Sequence, residues 1–267
     1  ALKVDSELEK FIAERLADKE IIQKARVMPY QLFAAYKHVS NDIPRSIVDA
    51  LHDAVEIAVD NAPVAEGRTL VIVDVSGSMS SPVTGHQYGR TSSKVRCVDV
   101  AALFSAAIVR KNRSAAVLPV DTQVHHGFRP EPRNSVLTEA DRLGEYCGGG
   151  TALGAAFRHA NARKLKVDHV VIISDQESWA DKHYSFYGGD GTAMMHEWET
   201  LRSRNPQAKL VCVDIQPGRT HQALEGRPEI LHVAGWNDSV FKVVAAFLGG
   251  DTDSWIDIIE KIDLAHN

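Results

Sequence analysis

The chain has 267 residues, 44% hydrophobic and 24% charged, a balance that supports a sizeable core and excludes a disordered or low-complexity polymer. A formal net charge of −5 excludes the overall basic excess needed for non-specific adhesion to DNA or an anionic membrane, so any RNA contact has to be local. The three cysteines, Cys97, Cys147 and Cys212, lie far apart without a Cys-x-x-Cys pair, which argues against a disulfide framework or a zinc site and fits a reducing cytoplasm.

Residues 1–20 carry charges too frequently for a signal peptide, and no window approaches the ~20 apolar residues that span a bilayer. From Ser6 to Asp60 apolar residues recur at three and four, as in Leu8, Phe11, Ile12 and Leu16 or Leu51, Val55 and Ala58. That spacing predicts helices over 6–16, 18–25, 29–38 and 44–60. Pro29 and Pro44 stand where first helical turns begin, and Asn41 or Asp42 is expected to cap the helix that starts at 44. The run from Asn61 to Gly67 reads as a linker. The division expected is therefore an all-helical segment, 1–66, and an α/β domain, 67–267.

Beyond the linker, short runs rich in β-branched residues alternate with amphipathic stretches, as buried parallel strands require. Strands are predicted at Thr69–Val75, Ala115–Val120, Val167–Ser174, Leu210–Ile215 and Ile230–Val233, with Thr122–Phe128 as a short antiparallel partner after a turn at Asp121. Helices are predicted over 93–111, 136–146, 152–163, 192–204 and 238–248. This alternation implies a doubly wound, mostly parallel sheet with helices on both faces. In the last stretch, Asp251 to Asn267, Trp255, Ile258, Ile259 and Ile262 fall on one side of a helix that is expected to dock on the body.

Ligands of such sheets bind beyond the carboxyl ends of the strands. There the first strand runs into Asp74-Val75-Ser76-Gly77-Ser78, the third long strand into Ser174-Asp175, and a Gly148-Gly149-Gly150-Thr151 loop precedes a helix. Asp74, Ser76, Ser78, Thr151 and Asp175 are hard oxygen donors, the set that Mg²⁺ prefers. Alternate positions along Asp74, Ser76 and Ser78 point the same way, Gly77 is expected to permit a sharp bend, and the glycines let the Thr151 loop approach.

Asp-x-Ser-x-Ser after an apolar strand, a Gly-Gly-Gly-Thr loop and a later strand-terminal Asp resemble the metal-ion-dependent adhesion site of von Willebrand factor A domains over roughly residues 67–250. The resemblance implies a Mg²⁺ ion, or another divalent cation, held directly by Ser76, Ser78 and Thr151 and through water by Asp74 and Asp175. It also implies a protein ligand that offers an Asp or Glu to the metal. A narrower resemblance rests on Arg26-Val27-Met28-Pro29-Tyr30-Gln31-Leu32, on Ala34-Ala35-Tyr36 and on Asp175-Gln176-Glu177-Ser178. These look like the C-terminal part of a Ro autoantigen (TROVE) protein, a family that joins a ring of helical repeats to an A-type domain and binds small non-coding Y RNAs on the ring. Residues 1–66 are too few for that ring, so RNA affinity implied by the family would need helical repeats from elsewhere.

The main expectation is thus a non-enzymatic, cation-dependent interaction module of a Ro-like RNA-binding protein, with neither DNA nor membrane as partner. The competing readings are an RNA-binding subunit in its own right and a metal-dependent phosphatase. The phosphatase reading would want a second acid where Ser76 stands. His196-Glu197 lacks a second His at position 200, and the Gly loop lacks a P-loop lysine. The aromatic residues Trp179, His183, Tyr184, Phe186 and Tyr187 are read either as a rim for a partner or as internal packing of their loop.

Overall fold

The computed structural model describes residues 6–62, 64–84, 93–175, 193–216, 223–224 and 226–250. The stretch 251–267 and the aromatic residues between 179 and 187 lie outside the described residues. The β-branched runs form strands β1 (Thr69–Asp74), β2 (Ala116–Val120), β3 (His169–Ser174), β4 (Lys209–Asp214) and β5 (Ile230–Ala234). Every residue of β1 and β3 is buried, which a strand achieves only with a layer packed on each face.

All neighbouring strands run parallel in the order β2-β1-β3-β4-β5. The chain leaves β1 through α5 (Cys97–Lys111) to reach β2 on one side, then returns to lay β3 on the other. Connections diverge between β1 and β3, and a crevice opens there at the carboxyl ends of both strands.

Alternation along the strands sorts the core into two layers. Val71, Val73, Val171 and Ile173 face α5, α6 (Val136–Gly144) and α9 (Ser239–Gly249). Leu70, Ile72, Val170 and Ile172 face α7 (Gly154–Ala162) and α8 (Ala193–Arg204), around the fully buried Trp198.

The helices that precede the sheet are α1 (Ser6–Leu16), α2 (Lys19–Lys24), α3 (Pro29–His38) and α4 (Arg45–Val59). Phe33 of α3 and Val55 and Val59 of α4 belong to the same packed cluster as β1 and α5. Polar ties reinforce the seam. The Lys37 ammonium lies 3.6 Å from both Asp99 on α5 and Asp141 on α6, and the Tyr30 N–H donates to the Asp238 carboxylate at 3.1 Å. Helix α1 packs on α4 yet buries none of its own residues, leaving Leu8 and Phe11 exposed.

Two local expectations are corrected. Neither Asn41 nor Asp42 caps α4. Pro44 itself is the N-cap residue, with no side-chain capping bond, and its extended backbone leads straight into Arg45. The segment from Thr122 to Phe128 contributes one antiparallel bridge, Val120 to Val124, rather than a strand. The Asp121 carboxylate accepts the Gln123 N–H at 2.8 Å and closes a tight reversal, too short to carry a ladder. The linker from Asn61 is fastened at its start: Asn61 Nδ2 donates to the carbonyls of Ile22 and Val27, Ala62 is buried, and the Lys111 ammonium donates to the carbonyls of Asp60 and Ala62.

Candidate metal centre

Strand β1 ends at Asp74, whose side chain is buried at the crevice. Its Oδ1 accepts the Ser76 N–H at 2.7 Å, and its Oδ2 accepts the Ser174 hydroxyl at 2.6 Å. The first bond turns the chain sharply after β1, so that a short 3-10 helix, Gly77–Ser80, begins at once. That turn brings Ser76 Oγ and Ser78 Oγ to 3.0 Å from each other.

Burial pushes the Asp74 carboxyl up from 3.8 to about 6, with the nearby Asp175 carboxylate acting in the same direction and the hydrogen bonds from Ser174 and Ser76 opposing it. Asp175 is itself 5% exposed and lies one residue beyond β3, the neighbour of β1. Two acids are thus held in a nearly dry crevice, an arrangement that a cation would relieve.

The Thr151 loop is fastened to the same edge. The Gly148 N–H donates to the Val75 carbonyl at 2.8 Å, and the Gly149 carbonyl accepts the Gly77 N–H at 3.2 Å. On the far side the Ala152 N–H donates to the Asp121 carbonyl at 2.8 Å. Thr151, 1% exposed, is held between these anchors. The demand for glycine falls on Gly149 rather than on Gly77. Gly149 has φ +61, and a Cβ there would stand 2.9 Å from Asp121 Oδ2, whereas Gly77 is not among the positive-φ residues.

Several groups that shape this edge did not stand out in the sequence. Ser174 orients Asp74, and Asp214 adds a third strand-terminal acid, 3% exposed, at the end of β4. Asp214 repeats the pattern of Asp74, an aspartate closing an apolar run, and that repetition was its available signal. Cys97, at the start of α5, is pushed up to about 12 by burial first and then by Asp175, Asp99 and Asp214, so it stays a thiol at neutral pH. Arg96 clasps Asp99 through its side chain at 2.8 Å and lies where a Cβ on Gly144 would meet it at 2.9 Å. It thereby braces the end of α6 just before the glycine loop.

A Mg²⁺ ion bound at ~2.0–2.1 Å to two adjacent corners of an octahedron sets those oxygens about 2.9 Å apart. The Ser76 and Ser78 hydroxyls, 3.0 Å apart, match that edge. Among the described residues no group of three or more His, Cys, Asp or Glu side chains is placed to hold a metal, so hydroxyl oxygens are what distinguish this donor set. The residues present fit a hard divalent cation.

A parallel sheet in this order, with Asp-x-Ser-x-Ser leaving β1 at the point where the connections diverge, defines a von Willebrand factor A-type fold. The family model described as the Ro60 vWA domain matches residues 68–248, and the chain belongs to that family. Over 261 residues it is 26% identical to a Deinococcus radiodurans protein named RNA-binding protein RO60, covering 92% of this chain and 46% of that one. A Caenorhabditis elegans protein of the same name is 24% identical over 257 residues, covering 90% of this chain and 36% of the relative. The crystal structure of the Deinococcus radiodurans RO (RSR) protein superposes with a TM-score of 0.73 at 22% identity, over 94% of this chain and 50% of that one. The chain therefore spans half or less of the length of these relatives. Among the described residues no helix is long and apolar enough to cross a membrane.

Proposed function

We propose that this chain is a divalent-cation-dependent interaction module of a Ro-like RNA-binding protein, a binding rather than a catalytic unit. In this reading Ser76, Ser78 and Thr151 hold Mg²⁺, and the ion supplies Lewis-acid affinity for a carboxylate oxygen of a partner protein. Asp74 and Asp175 contribute charge from farther out. Both Asp74 oxygens are already engaged, by the Ser76 N–H and the Ser174 hydroxyl, which favours action through water over direct ligation. Neutral hydroxyl donors leave a cation with excess positive charge, and an acidic side chain answers it.

The observation that carries the proposal is the 3.0 Å separation of the Ser76 and Ser78 hydroxyls beside a buried acid. The relatives' name, RNA-binding protein RO60, is the support for RNA. We read this chain as the part of such a protein that engages a protein partner, while small non-coding RNA is held by helical repeats beyond residues 1–66. The test is a titration of the metal-free chain with Mn²⁺, followed by electron paramagnetic resonance, alongside Ser76→Ala and Thr151→Ala. One saturable site, weakened in both variants, is expected. No uptake by the wild type, or equal uptake by all three, overturns the reading.

A further inference from the structure

Along α7 and the turn beyond it, Arg158, Arg163, Lys164 and Lys166 stand exposed, four cations in nine residues that include no acid. Elsewhere the arginines of the body close on carboxylates, as Arg68 does on Asp168 and Arg142 on Glu139. Among the described residues these four form no ion pair. Glu197, on the neighbouring α8, accepts Asn161 Nδ2 at 2.7 Å instead. The dipole of α7 favours cations only within its last turn, and Arg158 lies before that turn while Lys166 lies well past the helix.

The backbone adds a second observation. The Lys164 N–H donates to the Asn161 carbonyl and the Leu165 N–H to the Ala160 carbonyl, each at 3.0 Å, the two bonds that close a helix end through a left-handed residue. Glycine is the usual occupant of that position, yet Lys164 takes it at φ +50. Among the described residues, Arg26 is its one companion as a non-glycine with positive φ. A strained lysine is kept where a neutral glycine would rest more easily, which points to a use for its charge.

Beside these cations lie two imidazoles. His126, exposed, and His159 of α7 bring their rings to a centroid distance of 4.5 Å with planes 36° apart. Burial first, then the charges of His126 and Arg163, hold the His159 pKa below its usual value, so Arg163 faces the same ring. Cations in a line with ring faces beside them suit a single-stranded nucleic acid, whose phosphates take the charges and whose bases stack on the rings. A membrane surface or an acidic peptide would use the charges and leave the rings idle.

We propose that this strip is a contact for single-stranded RNA, with phosphates on Arg158, Arg163, Lys164 and Lys166 and a base stacked on the His126–His159 pair. It shares no residue with the cation site and rests on the Ro-like reading only in the choice of RNA.

The probe is fluorescein-labelled decauridylate, titrated with the full chain in EDTA at about 50 and 200 mM KCl and followed by fluorescence anisotropy. For the wild type, log affinity against log salt should have a slope of about −3, the value for four neutralised phosphates on a single strand. Arg163→Ala with Lys166→Ala should flatten it to about −1.5, whereas Lys19→Ala with Lys24→Ala, an equal loss of charge on α2, should leave it unchanged. His126→Ala should weaken binding about tenfold with the slope preserved. Lys164→Gly should raise the melting temperature by about 2–4 °C while flattening the slope by about 0.7. No salt-dependent binding by the wild type, equal losses in the two double variants, or wild-type affinity in His126→Ala overturns the proposal, as does binding to phosphatidylserine vesicles in place of the oligonucleotide. Because EDTA removes any bound cation, a failure here leaves the cation reading untouched.

Discussion

Replacing Asp74 by asparagine separates the cost of a buried charge from the benefit of a bound cation. The carboxyl sits at about 6 in the fold against 3.8 for the free group. Between those values the folded, metal-free chain holds a proton that the unfolded chain has lost. Stability therefore falls as pH rises from about 4 to about 6 and then levels off. The difference of about two pH units corresponds to about 3 kcal/mol. Asparagine carries no such penalty: its carbonyl can accept the Ser76 N–H, and its amide can donate to a rotated Ser174 hydroxyl. Rearranging those bonds takes back about 1 kcal/mol. In EDTA at pH 7.5 the Asp74→Asn variant should thus exceed the wild type by about 2 kcal/mol, or about 4–8 °C in melting temperature, and the gap should close between about pH 5 and pH 4, leaving the wild type slightly the more stable at about pH 4. Adding Mg²⁺ at about a hundredfold over its dissociation constant should stabilise the wild type by about 2.7 kcal/mol and leave the variant unmoved. Thermal melts of both chains at pH 4, 5 and 7.5, each with EDTA and with Mg²⁺, provide the measurement. A variant less stable than the wild type in EDTA at pH 7.5, or one that responds equally to Mg²⁺, refutes the reasoning.

Gly149→Ala should cost about 1–2 kcal/mol, since it forces a side chain into a left-handed backbone and against Asp121; urea unfolding reads the loss, and Mn²⁺ titration should show weaker uptake. Phe33→Ala should cost about 3–5 kcal/mol and shift a single unfolding transition followed by both near- and far-ultraviolet circular dichroism, because Phe33 belongs to the core that α3 shares with β1. Removing the Arg96 guanidinium with Arg96→Ala leaves the buried Asp99 with the backbone N–H of residue 96 and, as its remaining cation, the more distant Lys37, and about 3 kcal/mol of stability should go with it, measurable by chemical denaturation. By contrast Asp168→Asn, which removes the exposed pair with Arg68, should change stability by less than about 1 kcal/mol in the same assay.

Much of the fold was legible because its signals are local and repetitive. The three-and-four spacing of Leu51, Val55 and Ala58 becomes the buried side of α4, and the unbroken apolar run of Leu70 to Val73 becomes a strand covered on both faces. The oxygen donors could be picked out because a strand end fixes where Asp74, Ser76 and Asp175 must lie. What stayed hidden was decided by partners distant in sequence. Asp121 matters through Gly149 and Ala152, Ser174 matters through a hydroxyl aimed at Asp74, and Arg96 through the close approach of Gly144. The Thr122–Phe128 segment has strand-like residues, yet a carboxylate that closes its own turn outweighs that preference. The run after α4 reads as a spacer by composition, and only the pairing of Asn61 with carbonyls of Ile22 and Val27 shows it tied down.

The seam between the leading helices and the sheet sets where this protein can be divided. The match to the family model begins at residue 68, but Phe33, Val55, Val59 and Ala62 fill the same interior as Val71 and Val73. A shortened chain starting at the family boundary would expose the outer side of α5 and strip Lys37 from Asp99. The smallest piece expected to stand alone is therefore larger than the region matched by the family model and reaches back to Pro29. Recombination or engineering that moves the sheet into a new setting must carry α3 and α4 along as part of its wall.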